Sequence, residues 1–248
     1  MSMYKIQTLN KIAACGLDRL PRDSYEAATE IVNPDAVLVR SADMHSSEIP
    51  ASVLAIARAG AGVNNIPLDK CSQRGIVVFN TPGANANGVK EMVIASMLLS
   101  SRNLYEGITW VQGLKDRGDD VPDLVEKGKS QFVGPEIQGK TLGVIGLGAI
   151  GVMVANSAAA LGMKVMGFDP YISVEAAWKL SHEVAKANNL DTLVAESDYI
   201  TIHVPLTKDT RNLFSADRIS RMKKGARLLN FSRSGLVDND AIKAAIAE

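Results

Sequence analysis

The sequence predicts an α/β protein made of two parallel-sheet units joined by a helix. Three observations lead there. Short apolar runs alternate with helix-like segments near the start of the chain, at Ile6–Leu9, Ala36–Val39, Val53–Ala57 and Ile76–Phe79. A second alternation follows, with strands expected at Thr141–Ile145, Lys164–Phe168, Tyr199–His203 and Ala226–Phe231. Between the two, Val89, Met92, Val93 and Met97 recur at helical spacing, which reads as one long helix over Asn87–Leu104. Alternation of this kind favours parallel sheets covered on both faces.

The connecting pieces follow the same logic. Glycine and asparagine crowd Gly60–Asn65 and Asn80–Gly88, marking loops at strand ends. Gly113–Gly134 is polar and glycine-rich, and reads as a surface connection. The alanine-rich stretch Ala149–Leu161 reads as a helix, as do Leu190–Ala195 and Ser215–Met222.

Charge narrows the partners. Lysine plus arginine (27) balance aspartate plus glutamate (27), so no overall basic field is present to hold nucleic acid or an anionic membrane. A local basic pocket for a small anion stays open. Two cysteines are too few for a disulfide framework, no metal site is expected, and the thiols read as reduced. The first residues form no secretory signal, and no apolar run approaches the ~20 residues of a membrane span. The expectation is a cytoplasmic protein.

Gly146-Leu147-Gly148-Ala149-Ile150-Gly151 fits the pattern G-x-G-x-x-G. Alone the pattern is weak. Here it follows an expected strand, opens an expected helix, and is answered by Asp169 at the end of the next strand, 18 positions past Gly151. Gly146 permits the tight turn, Gly148 lets a pyrophosphate approach the backbone, and Gly151 lets helix and strand pack closely. The helix start at Ala149 and Ile150 offers unpaired N–H groups to phosphate. Asp169 can accept from both ribose hydroxyls and would repel a 2′-phosphate, which favours NAD over NADP.

Further stretches resemble the D-2-hydroxyacid dehydrogenases. Asn230-Phe231-Ser232-Arg233-Ser234-Gly235-Leu236-Val237-Asp238 is similar to the family's Asn-x-x-Arg-Gly-x-x-Val-Asp, with Ser234 where glycine is usual. His203-Val204-Pro205-Leu206-Thr207 with Thr210 resembles its His-x-Pro-Leu-Thr-x-x-Thr, Gly62–Ile66 its Gly-x-Asp-x-Ile with Asn64 replacing the acid, and Asn80–Gly83 its Asn-Thr-Pro-Gly loop. The resemblance implies a flavodoxin-like substrate domain over residues 1–97, lacking its returning segment. It implies an incomplete Rossmann-type NAD-binding domain over residues 98–248. Arg233 becomes the catalytic arginine that grips the substrate carboxylate, a role suited to a planar, always-charged fork. His203, Val204, Pro205, Thr210, Phe231 and Ser232 join the cofactor set.

The family's acid/base histidine and its glutamate partner lie in contexts that match nothing here. His45, His182 and His203 all lack them. The resemblance therefore predicts that residues 1–248 alone turn over poorly. It also implies a homodimer or higher homo-oligomer.

Arg40 follows the strand Ala36–Val39, and Arg58 follows Val53–Ala57, near Gly60-Ala61. With Arg233 they give three guanidinium groups, which suit a carboxylate plus a phosphate; solvated surface charge is the competing reading of Arg40 and Arg58. Both stretches resemble the phosphoglycerate dehydrogenase branch, as does Asn85. The implied reaction is NAD-dependent oxidation of 3-phospho-D-glycerate to 3-phosphohydroxypyruvate, which enters serine synthesis. A glyoxylate or hydroxypyruvate reductase, or an NADH-sensing corepressor-like binding protein, is the alternative. Where the family has Ser/Thr-Val-Ala-Glu, this chain has Gly88-Val89-Lys90-Glu91, so a hydroxyl near the substrate is missing. Val89, Met92 and Met97 read as core and Lys90 as solvated.

Overall fold

Five parallel strands form each of two sheets in the computed structural model, which describes residues 3–247. The chain divides into a unit ending at Asn85 and a unit beginning at Ala86. The helix that the sequence reading divided at residue 97 thus lies wholly in the second unit.

The first unit runs β1 (Tyr4–Leu9), α1 (Ala14–Leu17), β2 (Tyr25–Ala28), β3 (Ala36–Val39), β4 (Ala55–Arg58), α2 (Leu68–Gln73) and β5 (Val77–Phe79). Its strand order is β2-β1-β3-β4-β5, the flavodoxin-like order. Paired residues in a parallel sheet share a face. Val37, Val39 and Ile56 therefore point to one side, where they join Met44, Ile49, Val53, Ile66, Cys71 and Ile76 in a single core. The opposite side carries Ile6, Leu38, Ala57 and Phe79. No core cluster among the described residues forms there, and Val77 and Phe79 are exposed. Ile6 and Thr8 are nevertheless buried on that side, so it is covered at β1 and open towards β5.

The second unit opens with α3 (Ala86–Arg102), α4 (Leu104–Gln112) and α5 (Val121–Gly128). The long helix expected over Asn87–Leu104 is α3; Asn103 adopts a left-handed conformation (φ 47°) and ends it, and α4 follows directly. Asparagine tolerates that conformation, and its side chain donates to the Val133 carbonyl at 3.4 Å. The stretch read as a surface connection contains α5 and two 3-10 turns. Val93 and Met97 are buried as expected, but Met92 is exposed, and Lys90 is half-buried beside Glu91 at 3.9 Å.

An alternating run follows: β6 (Thr141–Ile145), α6 (Ala149–Ala160), β7 (Lys164–Phe168), α7 (Val174–Lys179), β8 (Val184–Lys186), α8 (Leu190–Glu196), β9 (Tyr199–Ile202), α9 (Ala216–Ser220), β10 (Arg227–Asn230) and α10 (Asn239–Ala247). Strand order is β10-β9-β6-β7-β8, the Rossmann order 3-2-1-4-5 in reverse. Leu142 and Val144 pack into a core with α3 and α6, while Ile145, Ile200 and Ile202 pack on the other side with α8 and α9. Burial on both faces explains why β6 and β9 are largely apolar, with Thr201 a buried polar exception. Among the described residues no helix is long and apolar enough to cross a membrane.

Candidate functional site

The glycine turn sits where β6 meets α6. Gly146 has φ +89°, and a Cβ built on it would lie 2.8 Å from the His203 carbonyl carbon and oxygen. Only glycine satisfies both constraints. A Cβ on Gly151 would overlap the Gly146 carbonyl oxygen, so that glycine sets how closely α6 approaches the turn. Gly148 behaves differently. It is exposed, and a Cβ there would meet nothing within 4 Å. Its bareness serves no packing inside the protein and leaves open space at the start of a 12-residue helix.

That helix start is uncapped by any side chain. The N–H groups of Gly148, Ala149 and Ile150 meet no acceptor among the described residues, as expected of a first helical turn. Three free donors plus the positive end of the helix dipole make a site for a phosphate group.

Asp169 closes one side. Its carboxylate accepts from Leu147 N and from Tyr171 N, each at 2.8 Å. These bonds tie the end of β7 to the glycine turn, and each oxygen keeps lone pairs for ribose hydroxyls. A cavity of ≈ 490 Å³ adjoins Asp169 and Leu147, lined further by Ile172, Val184 and Ala187. An acid at an apolar pocket beside a phosphate site fits the adenosine half of a dinucleotide.

β9 and β10 supply the other side. His203 is half-buried, and its Nε2 lies 2.9 Å from Thr201 Oγ1 while its Nδ1 has no partner. Burial pushes its pKa from 6.5 down to about 4, so the ring is neutral at pH 7. Val204 touches the turn, its Cγ1 being 2.9 Å from where a Gly146 Cβ would stand. Thr210 holds its own loop: its hydroxyl donates to the Pro205 carbonyl at 2.6 Å and accepts from Thr207 N at 2.8 Å. Ser232 ties the next loop back, donating to the Ile202 carbonyl at 3.0 Å, with Phe231 exposed beside it.

Arg233 follows β10 at the same carboxyl edge of the sheet. Asn230 braces its loop, donating to the Arg233 carbonyl at 2.8 Å and accepting from Ser232 N at 3.0 Å. The guanidinium donates only to the neighbouring Ser232 carbonyl and has no acid partner among the described residues. A larger cavity, ≈ 920 Å³, runs along the open edge of β10 against α9 and α10, and Arg233 lines it with Asn230 and Ser232. The smaller cavity is the nucleotide candidate, since the glycine turn borders it.

In the first unit the structure brings Arg40, Arg58, Gly60 and Ala61 together at the carboxyl ends of β3 and β4. Arg58 Nε donates to the Arg40 carbonyl at 2.9 Å, and Asn80 donates to the Ala61 carbonyl at 2.7 Å. Asn85 lies exposed in the turn before α3, and no side-chain hydrogen bond among the described residues links it to that group. Sequence reasoning missed Asn10, whose side chain accepts from Ser41 N at 2.8 Å and from Ala42 N at 2.7 Å. Nothing around Asn10 in the sequence announces a bond to residues 31 and 32 positions away.

Residues 94–248 match the family described as D-isomer specific 2-hydroxyacid dehydrogenase, NAD binding domain. The chain belongs to that family. Among curated relatives, a D-3-phosphoglycerate dehydrogenase of Archaeoglobus fulgidus is 38% identical over 89% of this chain and 40% of its own length. One of Bacillus subtilis is 32% identical over 98% of this chain and 46% of its own. This member of the family thus spans less than half the length of those relatives. Among solved structures, a D-lactate dehydrogenase of Aquifex aeolicus, complexed with NAD and lactic acid, aligns with TM-score 0.76 and 28% identity over 98% of this chain and 73% of that one. An NAD+-bound 3-phosphoglycerate dehydrogenase of Entamoeba histolytica aligns with TM-score 0.73 and 26% identity, over 99% and 77%. NAD is the cofactor of the family domain, and the open Gly148 turn, the free helix donors and Asp169 fit it.

Proposed function

We propose that this chain is the substrate- and NAD-binding part of a D-3-phosphoglycerate dehydrogenase, oxidising 3-phospho-D-glycerate to 3-phosphohydroxypyruvate at the entry to serine synthesis. The division into a substrate part near residues 1–97 and a nucleotide part beyond belongs to the same proposal. The observation that carries it is the pair Arg40 and Arg58, joined through the Arg58 Nε bond and lacking any acid partner among the described residues. Arg58 is thereby tied to the backbone that carries Arg40, and two cations without acid partners at neighbouring strand ends suit an anion. The D-3-phosphoglycerate dehydrogenase relatives support the same substrate.

In this reading the residues divide the work. Gly148, Ala149 and Ile150 hold the pyrophosphate, and Asp169 holds the ribose and selects NAD. NAD held by these groups would supply the hydride acceptor for the reaction. Arg233 grips the carboxylate and polarises the oxygen that becomes the carbonyl. Arg40 and Arg58 hold the phosphate. His203 stays neutral and packs beneath the turn, and it is not assigned as the acceptor of the hydroxyl proton. A homodimer or larger homo-oligomer in the cytoplasm is the proposed setting.

Titration calorimetry on the chain with NADH present tests the substrate. Binding of 3-phospho-D-glycerate should exceed that of D-lactate and glyoxylate, and Arg40→Ala should weaken it about tenfold, the worth of one charge-assisted contact. Equal affinity for all three acids would replace this reading with a broader 2-hydroxyacid dehydrogenase or a reductase of glyoxylate.

A further inference from the structure

We infer that Gly60 is a positioning residue: its bare Cα leaves the volume in which the Arg58 guanidinium sits, aiming that group at an anionic substituent of the substrate. A Cβ built on Gly60 would overlap Arg58 Nη1, lie 2.6 Å from Cζ and stand 3.3 Å from Nε. The guanidinium therefore lies against the Cα of the residue two positions on. From the other side the Arg40 carbonyl accepts from Nε at 2.9 Å. One donor is spent on orientation, and the outer fork of Nη1 and Nη2 has no hydrogen-bond acceptor or carboxylate among the described residues.

The backbone beneath is held as firmly. Gly60 N donates to the Arg58 carbonyl at 2.9 Å, and the Gly60 carbonyl accepts from Thr81 N at 3.0 Å. Asn10 fixes the residues after Arg40 through the Ser41 and Ala42 amides. The bare Gly60 and the bond to the Arg40 carbonyl thus favour one placement of a long side chain before any ligand arrives. Preorganisation of this kind lowers the ordering cost of binding and favours a doubly charged acceptor with two oxygens to take the fork, such as a phosphate monoester. A monoanionic acid without that group would gain nothing from it.

The inference rests on the proposal that Arg58 meets the substrate, and the experiment separates the two. Affinity for 3-phospho-D-glycerate and for D-lactate is measured by calorimetry, with NADH present, for the chain and for Gly60→Ala, Arg58→Ala and the double variant. Gly60→Ala and Arg58→Ala should each weaken the phosphorylated acid about tenfold or more, and D-lactate less than twofold. The double variant should bind no more weakly than Arg58→Ala alone, because Gly60 acts through a group already removed. A further loss in the double variant, or unchanged affinity in Gly60→Ala, overturns the positioning role. Unchanged affinity in Arg58→Ala removes the substrate assignment, and the inference with it. The φ of Gly60 is +154°, so alanine also carries backbone strain there. If Gly60→Ala fails to fold, removing the Arg58 side chain should restore folding, read by circular dichroism. A double variant that also stays unfolded would assign the glycine to backbone geometry alone and sink the inference.

Discussion

In both units the first central strand ends in a residue of positive φ: Asn10 after β1 at +69°, Gly146 after β6 at +89°. Both turns face the neighbouring strand across the point where strand order reverses, β1 against β3 and β6 against β9. In open α/β sheets that crevice is where ligands bind. The first unit fills it with its own side chain, since the Asn10 carbonyl oxygen takes up the amides of Ser41 and Ala42. The second keeps it empty, since Gly146 packs its bare Cα on His203 and exposes Gly148 beyond. The same topology thus yields a ligand crevice in one unit and a stapled loop in the other. In the stapled unit the groups proposed to bind the anion are side chains, Arg40 and Arg58, rather than helix amides.

Exchanging the residues tests whether conformation or space decides. Gly146→Asn keeps a residue that tolerates positive φ, yet its Cβ must stand 2.8 Å from backbone atoms of His203 that cannot step aside. The expected cost is about 3 kcal/mol, the upper part of the usual overpacking range, with NADH affinity falling more than tenfold. Denaturant midpoint and NADH fluorescence titration measure the two. Wild-type NADH affinity in this variant would show that positive φ alone makes the crevice.

The second unit also carries a pH dependence that the comparison localises. His203 has its pKa depressed from 6.5 to about 4 by burial. As pH falls through 6.5 the unfolded chain takes up this proton before the folded one does. Stability is therefore full above pH 6.5, declines between 6.5 and 4, and levels off below. The loss is at most about 3 kcal/mol. Hydrogen exchange at pH 7 and pH 4.5 should show β6 and β9 losing protection, and His203→Gln should flatten the difference. If β1 and β3 lose as much protection, the effect is not that of His203.

Why one crevice was readable from sequence and the other was not follows from where the constraints lie. Gly146, Gly148 and Gly151 are local: each glycine answers a requirement of one turn, and the spacing carries the information. Asn10 and Gly60 are not local in that sense. Asn10 reaches a loop 31 residues on, and Gly60 matters because of where a side chain two residues back comes to rest. The strands show the same division. Ala36–Val39, Thr141–Ile145 and Lys164–Phe168 were legible to the residue because central strands are apolar runs. Edge strands β2 and β8 carry Glu26 and Lys186 with mostly unburied neighbours, so they leave no apolar run to read. The end of α3 at Asn103 was legible to within two residues, whereas the short helix α4 after it was missed although Leu104, Ile108 and Val111 recur at helical spacing.

The gentlest exchange is the reverse one, Asn10→Gly. Glycine accepts +69° without strain, so only the two bonds to Ser41 and Ala42 are lost. Both lie at the surface, where water replaces much of what is removed, and the net cost should be about 1 kcal/mol. The consequence should be kinetic freedom rather than unfolding: the Ser41 and Ala42 amides should exchange with solvent faster, while Ala57 and Val39 in the strands keep their rates. Asn10→Asp retains an acceptor in the same place and should slow those two amides again. Unchanged exchange at Ser41 and Ala42 in Asn10→Gly would mean that the loop is held by its own backbone. The contrast between a stapled crevice and an open one would then reduce to the glycines of the second unit alone.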